Sequence, residues 1–516
     1  MKSNDLIELI GDVKDEHIRD AKAHKKSRMP RWAKWSSAVA ACLVLAVCGT
    51  MLIQYHDNEA QCPTAGGAGH GEGTVFMSYA GPIFPLTVLE NESDLHAQRQ
   101  LTYDFSVYSG DGGDIEQWGR NDNCIIFTDS YTLTNNTDEE LQGTAVYPIA
   151  GDFQTMEWPE ITVNGEAIDW QLHAGAYSGD FRGAGDEYST SLNLDRIASW
   201  EGYETLLRDG GYLDAAFEDA PALTTPVVVY KLSDITGGDQ IEAASLCMSF
   251  VRDPEKTQIL TYGFNGGGTR VDTGEEYRDF FIRKGLRKED ENIKYLIIVG
   301  EDLSGYTLQG YQDGGCTPGE EIDAGATVVR QEMVLGDALY EITKMRFDAV
   351  SGNEFDGDHN RYINDKIDFE MYYREVCRYF AAYGPGGTDP KERYEFGRLE
   401  EIVQEVAYHD RILYLTFDIN VPSGKTAEVT VRGVKNASFD FSCTGSENEG
   451  IDGYDMVTTL GSNLVFQQQT ASIENYSGIE IVRQNYGFDL EAGITEVTLD
   501  LSQPHYWLEI RKIAVD

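Results

Sequence analysis

From Ser36 to Tyr55 the chain reads SSAVAACLVLAVCGTMLIQY, without a single formal charge. A helix of about 20 apolar residues crosses a bilayer's hydrocarbon core, and it can do so because all its backbone polar groups are satisfied internally. This stretch divides the chain into parts expected on opposite sides of a membrane. Lys22, Lys25, Lys26, Arg28, Arg31 and Lys34 precede it, with Trp32 and Trp35 placed as interfacial anchors. Asp57 and Glu59 follow, and the next Lys or Arg is Arg99. Basic residues stay on the cytoplasmic side. The expectation is a single transmembrane helix over 35–55, touching lipid through residues 36–55, with a cytoplasmic N-terminus and an extracellular C-terminal part. Two processed forms stand beside it. One is a cleaved signal peptide; the other is a lipoprotein cut before Cys42 (Val39-Ala40-Ala41-Cys42) or Cys48 (Leu45-Ala46-Val47-Cys48).

Charge follows the same division. Residues 1–34 hold nine Lys/Arg against six Asp/Glu, leaving 32 against 81 in the rest of a chain whose net charge is −46. Such an acidic body repels phosphate backbones, which argues against nucleic acid as a partner. It also serves simply as a solvated surface.

The cytoplasmic segment, 1–34, is basic and amphipathic. Ser3-Asn4-Asp5 can cap a helix on which Leu6, Ile7, Leu9, Ile10, Val13 and Ile18 recur at near-helical spacing. One apolar stripe on so short a segment needs a partner or the membrane surface. Leu6, Leu9, Ile10, Val13 and Ile18 are therefore the candidate partner-binding residues; the plainer reading is a lead that only aids insertion. Ile10-Gly11-Asp12-Val13-x-Asp15-x-x-Ile18-x-x-Ala21, the basic run, Trp32-x-Lys34-Trp35 and Ala40-Ala41-Cys42-Leu43 together resemble the amino-terminal region of clostridial single-pass membrane proteins. That resemblance covers roughly the first 50 residues. It implies an anti-sigma-like signalling role with a sigma factor as cytoplasmic partner. The spaced pattern of zinc-binding anti-sigma proteins, with its His and paired Cys, is absent from this tail.

Residues 56–75 are Gly-rich and polar, as in a flexible tether. Beyond them the pattern is mainly β with helical insertions, expected as β-sandwich-like extracellular domains. Leu101, Tyr103, Phe105 and Val107 alternate, a strand runs from Cys124 to Leu133, and another ends at Pro148. Asn164-Gly165 between Ile161 and Ile168 signals a two-residue hairpin. A helical insertion is expected near Ile197–Leu207. Strands follow at Val227–Tyr230, Ala243–Phe250, Ile259–Phe264 and Tyr295–Val299, and a hairpin at Met333–Leu339. Residues 76–347 are read as one β-rich domain and 348–410 as an acidic loop with two helices, one over Phe369–Ala382 and one opened by Asp389-Pro390. Residues 411–516, with Leu413 to Val421 and Ala427 to Val431 alternating, are read as a separate β-sandwich-like domain.

Local chemistry is sparse. Asp356, Asp358, Asn360 and Asn364 fall at positions 1, 3, 5 and 9 of a calcium-type loop. Arg361 replaces the usual Gly and Ile367 the final acid, so an ordinary acidic turn is the main alternative and no cofactor is expected. Gly266-Gly267-Gly268 lacks a P-loop ending and reads as a loop. No G-x-S-x-G or H-E-x-x-H occurs, and no enzymatic activity is expected. Trp118, Trp158, Trp170, Trp200 and Trp507 are either core aromatics or a glycan platform. Cys62, Cys124, Cys247, Cys316, Cys377 and Cys443 lie outside the apolar stretch, widely spaced, and are open to disulfides or to buried free thiols. The functional expectation is a membrane-anchored sensor or regulator, the alternative a cell-surface ligand- or glycan-binding protein.

Overall fold

The computed structural model describes residues 78–513, apart from 90–94, 110–123, most of 178–210, 238–243, 283–292, 352–362, 441–449 and a few single positions. It is mainly β, 50% strand and 16% helix, in several sheets. Two short strands, β1 (Ser78–Tyr79) and β2 (Thr87–Val88), precede β3 (His96–Asp104). In β3, Ala97, Leu101 and Tyr103 are buried while Gln98 and Gln100 face water. The short helix α1 (Ser106–Ser109) takes Val107 out of that alternation. Next come β4 (Cys124–Thr134), β5 (Leu141–Gly151), β6 (Glu160–Val163) and β7 (Glu166–Ala167). The turn between β6 and β7 holds Asn164 at φ 53° and Gly165 at φ 81°, the left-handed pair that a two-residue hairpin requires. Then follow β8 (Gln171–Tyr177), α2 (Gly211–Phe217), β9 (Pro226–Gly237), β10 (Ser245–Phe250), β11 (Thr257–Tyr262) and β12 (Gly266–Thr269). After β13 (Glu276–Phe281), β14 (Lys294–Gly300), β15 (Tyr306–Tyr311), β16 (Glu321–Ile322) and β17 (Ala324–Val334) come three helices, α3 (Leu335–Val350), α4 (Phe369–Tyr383) and α5 (Leu399–Glu405). The chain ends in β18 (Arg411–Val421), β19 (Thr426–Asn436), β20 (Phe439–Asp440), β21 (Ile451–Val457), β22 (Val465–Glu474), β23 (Ile479–Gln484), β24 (Glu496–Thr498) and β25 (His505–Lys512).

Among the described residues the strands form five sheets, ordered β24-β22-β3-β4-β19-β6-β7, β2-β5-β18-β8, β1-β20-β21-β25-β23, β11-β14-β9-β17 and β12-β13-β10-β15-β16. Residues 411–516 do not pair only among themselves. β18 lies between β5 and β8, in register from Arg411–Gly151 to Val421–Leu141, and β19 lies between β4 and β6. Residues 64–516 accordingly form one compact unit, and position 411 is no boundary between sheets. Alternation reports which face of a strand is buried, not which strand lies beside it.

In the β11-β14-β9-β17 sheet, β11, β14 and β9 bury side chains on both faces, while the edge strand β17 is largely exposed. Val227, Val229, Leu260, Tyr262 and Ile297 join the main core with Leu339 and Ile342 of α3 and Ile402 and Val403 of α5. Their neighbours Tyr230, Leu232, Ile259, Leu296 and Ile298 meet Leu246, Met248, Phe250, Phe264 and Phe280 of the next sheet in a second core. Each such large apolar side chain contributes about 1.5–3 kcal/mol by leaving water.

Two local expectations are corrected. Met333–Leu339 is not a hairpin: β17 ends at Val334 and α3 begins at once. Gly336 serves close approach there, because a Cβ would sit 3.2 Å from the Leu223 carbonyl oxygen. Asp389-Pro390 does not open a helix. The Asp389 N–H donates to the Ala382 carbonyl (2.7 Å), finishing α4, and α5 starts only at Leu399. The helix over Phe369–Tyr383 is as expected, with the Asp368 carboxylate accepting the Met371 N–H at 2.7 Å.

Buried ion pairs lock the layers. Arg99 Nε and Nη2 each donate to Asp129 at 2.8 Å, and both side chains are wholly buried. Tyr131 and Tyr147 donate to the same carboxylate at 2.7 and 3.0 Å, while Arg99 also reaches the carbonyls of Val457 and Phe84. The network joins β3 and β4 to β5 and β21. A second pair, Arg411–Glu375 at 2.9 Å, joins β18 to α4 with the guanidinium 4.2 Å from the Phe153 ring centre.

Candidate functional site

A concavity opens where β11, at the edge of one sheet, turns through Gly263 (φ 80°) into β12, at the edge of the next. Gly266-Gly267-Gly268, expected as a loop, is strand β12, paired with Asp279, Arg278 and Tyr277 of β13. A Cβ on Gly266 would come within 2.9 Å of Asp279 Oδ1, and one on Gly267 within 2.7 Å of Arg278 Cδ and of the Tyr277 carbonyl. Glycine thus lets the edge strand lie close under its neighbour's side chains. The opposite wall is the segment before α5, held by the Thr261 N–H donating to the Gly397 carbonyl at 2.8 Å. Between the walls lies a groove of about 410 Å³ lined by Phe264, the three glycines, Glu276, Arg278, Phe396 and Arg398.

The groove's electrostatics run against those of the chain. Arg278 is pulled below its usual range by burial, with Glu276 opposing. Its Nη1 donates to the Tyr277 carbonyl at 2.9 Å, and Nη2 lies 3.6 Å from Glu276, which Arg252 also engages at 2.9 Å. Arg398, 44% exposed, donates to the Asn265 carbonyl at 2.9 Å and pairs with Glu401 at 3.4 Å. Phe396 is 77% exposed at the rim. Two guanidinium groups, Arg278 and Arg398, line the groove against the one carboxylate of Glu276, with Asp279 also acting on Arg278, in a chain of net charge −46. An aromatic face, planar cations and bare backbone together suit a ring-bearing or anionic ligand.

Two other places bear on the sequence expectations. Trp158 and Trp170 are half-buried, with ring centres 5.5 Å apart at 45°, and Lys366 lies 5.7 Å from the Trp170 ring. Beside them a narrow slot lined by Pro82, Tyr147, Ile149 and Met156 holds Glu157, whose carboxyl burial raises to about 7.

No family model, curated protein or solved structure matches this chain.

Of the calcium-loop residues, Asp356, Asp358 and Asn360 lie outside the described residues. Asn364 is described, and its amide is already occupied. Nδ2 donates to the Met156 carbonyl at 3.0 Å, and Oδ1 accepts from Trp158 Nε1 at 2.8 Å and from the Lys366 N–H at 3.1 Å. Among the described residues no three metal-ligating side chains converge. Asn364→Ala should cost about 1–3 kcal/mol through the stranded indole N–H, equally with calcium or with chelator, in paired urea titrations. A calcium-dependent loss would support the metal reading.

Leu6, Leu9, Ile10, Val13 and Ile18, the expected span over 36–55 and the 56–75 tether lie outside the described residues, as do Trp118 and Trp200. Among the described residues no helix is long and apolar enough to cross a membrane. Trp507 is buried at 9% exposure and His173 donates to or accepts from Thr416 at 3.1 Å, both within strands. Arg278, Arg398 and Phe396 were not legible as a site, because they come from two chain segments, β13 and the residues before α5, joined only by folding.

Proposed function

We propose that this chain is a membrane-anchored sensor or regulator without chemistry of its own, whose exported, sandwich-like β domain captures an anionic or ring-bearing ligand. The observation that carries the reading is the Arg278–Arg398–Phe396 groove on an otherwise strongly acidic protein. The basic, tryptophan-flanked apolar stretch at 36–55 supports the anchor, and the stripe from Leu6 to Ile18 supports a cytoplasmic protein partner of the sigma-factor kind. In this reading, occupancy outside is reported to the tail inside.

The test is retention of the purified full chain on a panel of acidic polysaccharides and acidic peptides. Each guanidinium contact to an anion is worth about 1.5–3 kcal/mol, so Arg278→Ala with Arg398→Ala should weaken binding by at least about tenfold. Retention that ignores both substitutions, or none on any acidic ligand, sinks the groove as the site. A pull-down with residues 1–34 that recovers no partner removes the signalling half.

A second reading, surface glycan binding, has its own support in the tilted Trp158–Trp170 pair beside Lys366, since sugar rings stack on exposed indole faces. Neutral glycans retained by the native chain but not by Trp170→Ala would favour it.

A further inference from the structure

Strand β10 shows its two faces to different surroundings. Leu246, Met248 and Phe250 enter the core between the two sheets, so Ser245, Cys247 and Ser249 point to the other side. There Cys247 packs against Cys316, which lies between β15 and β16 in the sequence, both as free thiols. Each has a serine beside it: Ser245 Oγ is 3.8 Å from Cys316 Sγ, and Ser249 Oγ is 3.8 Å from Cys247 Sγ. Both cysteines are only 1% exposed. Cys316 adopts φ 50°, a left-handed backbone that a β-carbon disfavours. Arg270, its guanidinium 5.3 Å from the Tyr277 ring centre, donates to the Cys316 carbonyl at 3.4 and 3.5 Å. An unfavourable backbone conformation is held where Cys316 packs against Cys247.

We propose that Cys247 and Cys316 form an intramolecular disulfide that fastens the segment bearing Cys316 across the outer face of β10. The cross-link closes a loop of about seventy residues, long enough to remove substantial freedom from the unfolded chain. It forms while the chain folds, before the thiols are buried, by exchange with a disulfide oxidant of the glutathione or thiol-oxidoreductase class. The Cys247 thiolate attacks one sulfur of the oxidant, and the first leaving thiolate takes up a proton. Cys316 then loses its proton and attacks the Cys247 sulfur of the mixed disulfide, expelling the second thiol. The two cysteines give up two electrons and two protons, and one oxidant disulfide becomes two thiols. The pairing concerns the fold, so it stands or falls apart from ligand capture at the groove.

Cys124 in β4 and Cys377 in α4 serve as internal references. Both are buried thiols, and burial raises the pKa of Cys377. The full chain, refolded in detergent with a mixture of reduced and oxidised glutathione, is alkylated, digested and mapped by mass spectrometry. The expected result is a cross-linked peptide pair joining Cys247 to Cys316, two hydrogen masses lighter than the reduced pair, with Cys124 and Cys377 alkylated after denaturation. Dithiothreitol should lower the unfolding temperature of the native chain by several degrees, and Cys316→Ser should abolish both the cross-link and the response to reductant. If Cys247 and Cys316 are alkylated as fully after oxidative refolding as after reduction, or if either pairs with another cysteine, the proposal fails. Should Cys316→Ser not fold, peptide mapping of the native chain decides alone.

Discussion

Replacing Asp129 by Ala should destabilise the domain by about 3–5 kcal/mol, the range found when one partner of a buried ion pair is removed. The cost arises from what is left behind. Arg99 would remain wholly buried with its bidentate acceptor gone, and the hydroxyls of Tyr131 and Tyr147 would each lose their 2.7 and 3.0 Å acceptor. Burial raises both tyrosines well above the usual phenol range, so neither can supply the missing negative charge. The Val457 and Phe84 carbonyls would still hold the guanidinium as dipoles without neutralising it. Urea unfolding checks the size of the loss. Arg99→Met combined with Asp129→Leu should recover most of it, because the apolar pair strands no charge. A loss below about 1 kcal/mol for Asp129→Ala would show that water reaches the cluster and that the layers are joined by apolar packing alone. Arg330→Ala is the contrast: its pairs with Asp302 and Glu332 sit at the surface and should contribute little.

The same residues show how far a sequence can be read. Where the signal is local, it is reliable. Asn164-Gly165 supplies two positive φ angles and becomes a hairpin, and the apolar alternation from Leu413 to Val421 becomes β18. Neighbours are another matter. Nothing in Leu413-Tyr414-Leu415 reports that this strand will be flanked by residues 141–151 and 171–177, and a separate C-terminal domain was the natural reading. Leu335-Gly336-Asp337 misleads because Gly-Asp is turn chemistry, whereas here Gly336 answers a contact with Leu223 that only folding creates. The groove was visible only as three unexplained glycines; its arginines and Phe396 come from β13 and the segment before α5. Cys247 and Cys316 are counted easily in a sequence, but their meeting depends on which face of β10 each side chain takes.

Stability should fall as pH rises from about 4.5 to 7, and the carboxyls responsible are Glu157, Glu400 and Glu509. Burial raises each from the ordinary 4.5 to about 7. Arg483 pairs with Glu509 but, being partly exposed itself, offsets only part of that shift. The folded state therefore holds protons on these groups that the unfolded chain has already released. Their contribution is complete below pH 4.5 and is lost as pH climbs through 7. Allowing for partial solvation, about 1–2 kcal/mol each is reasonable. His173 opposes them: burial and Arg374 lower its pKa, so its contribution grows as pH rises through 6.5. Three carboxyls against one half-buried imidazole leave a net decline. Urea midpoints at pH 5, 6, 7 and 8 should decrease in order, and Gln at positions 157, 400 and 509 together should flatten the profile. Self-repulsion in a chain of net charge −46 acts in the same direction, but it is screened by added salt, whereas carboxyls removed from solvent are not. A decline that persists in high salt and disappears with the three glutamines identifies the buried groups. A flat or rising profile in the native chain would mean these carboxyls are ionised and hydrated in the folded protein.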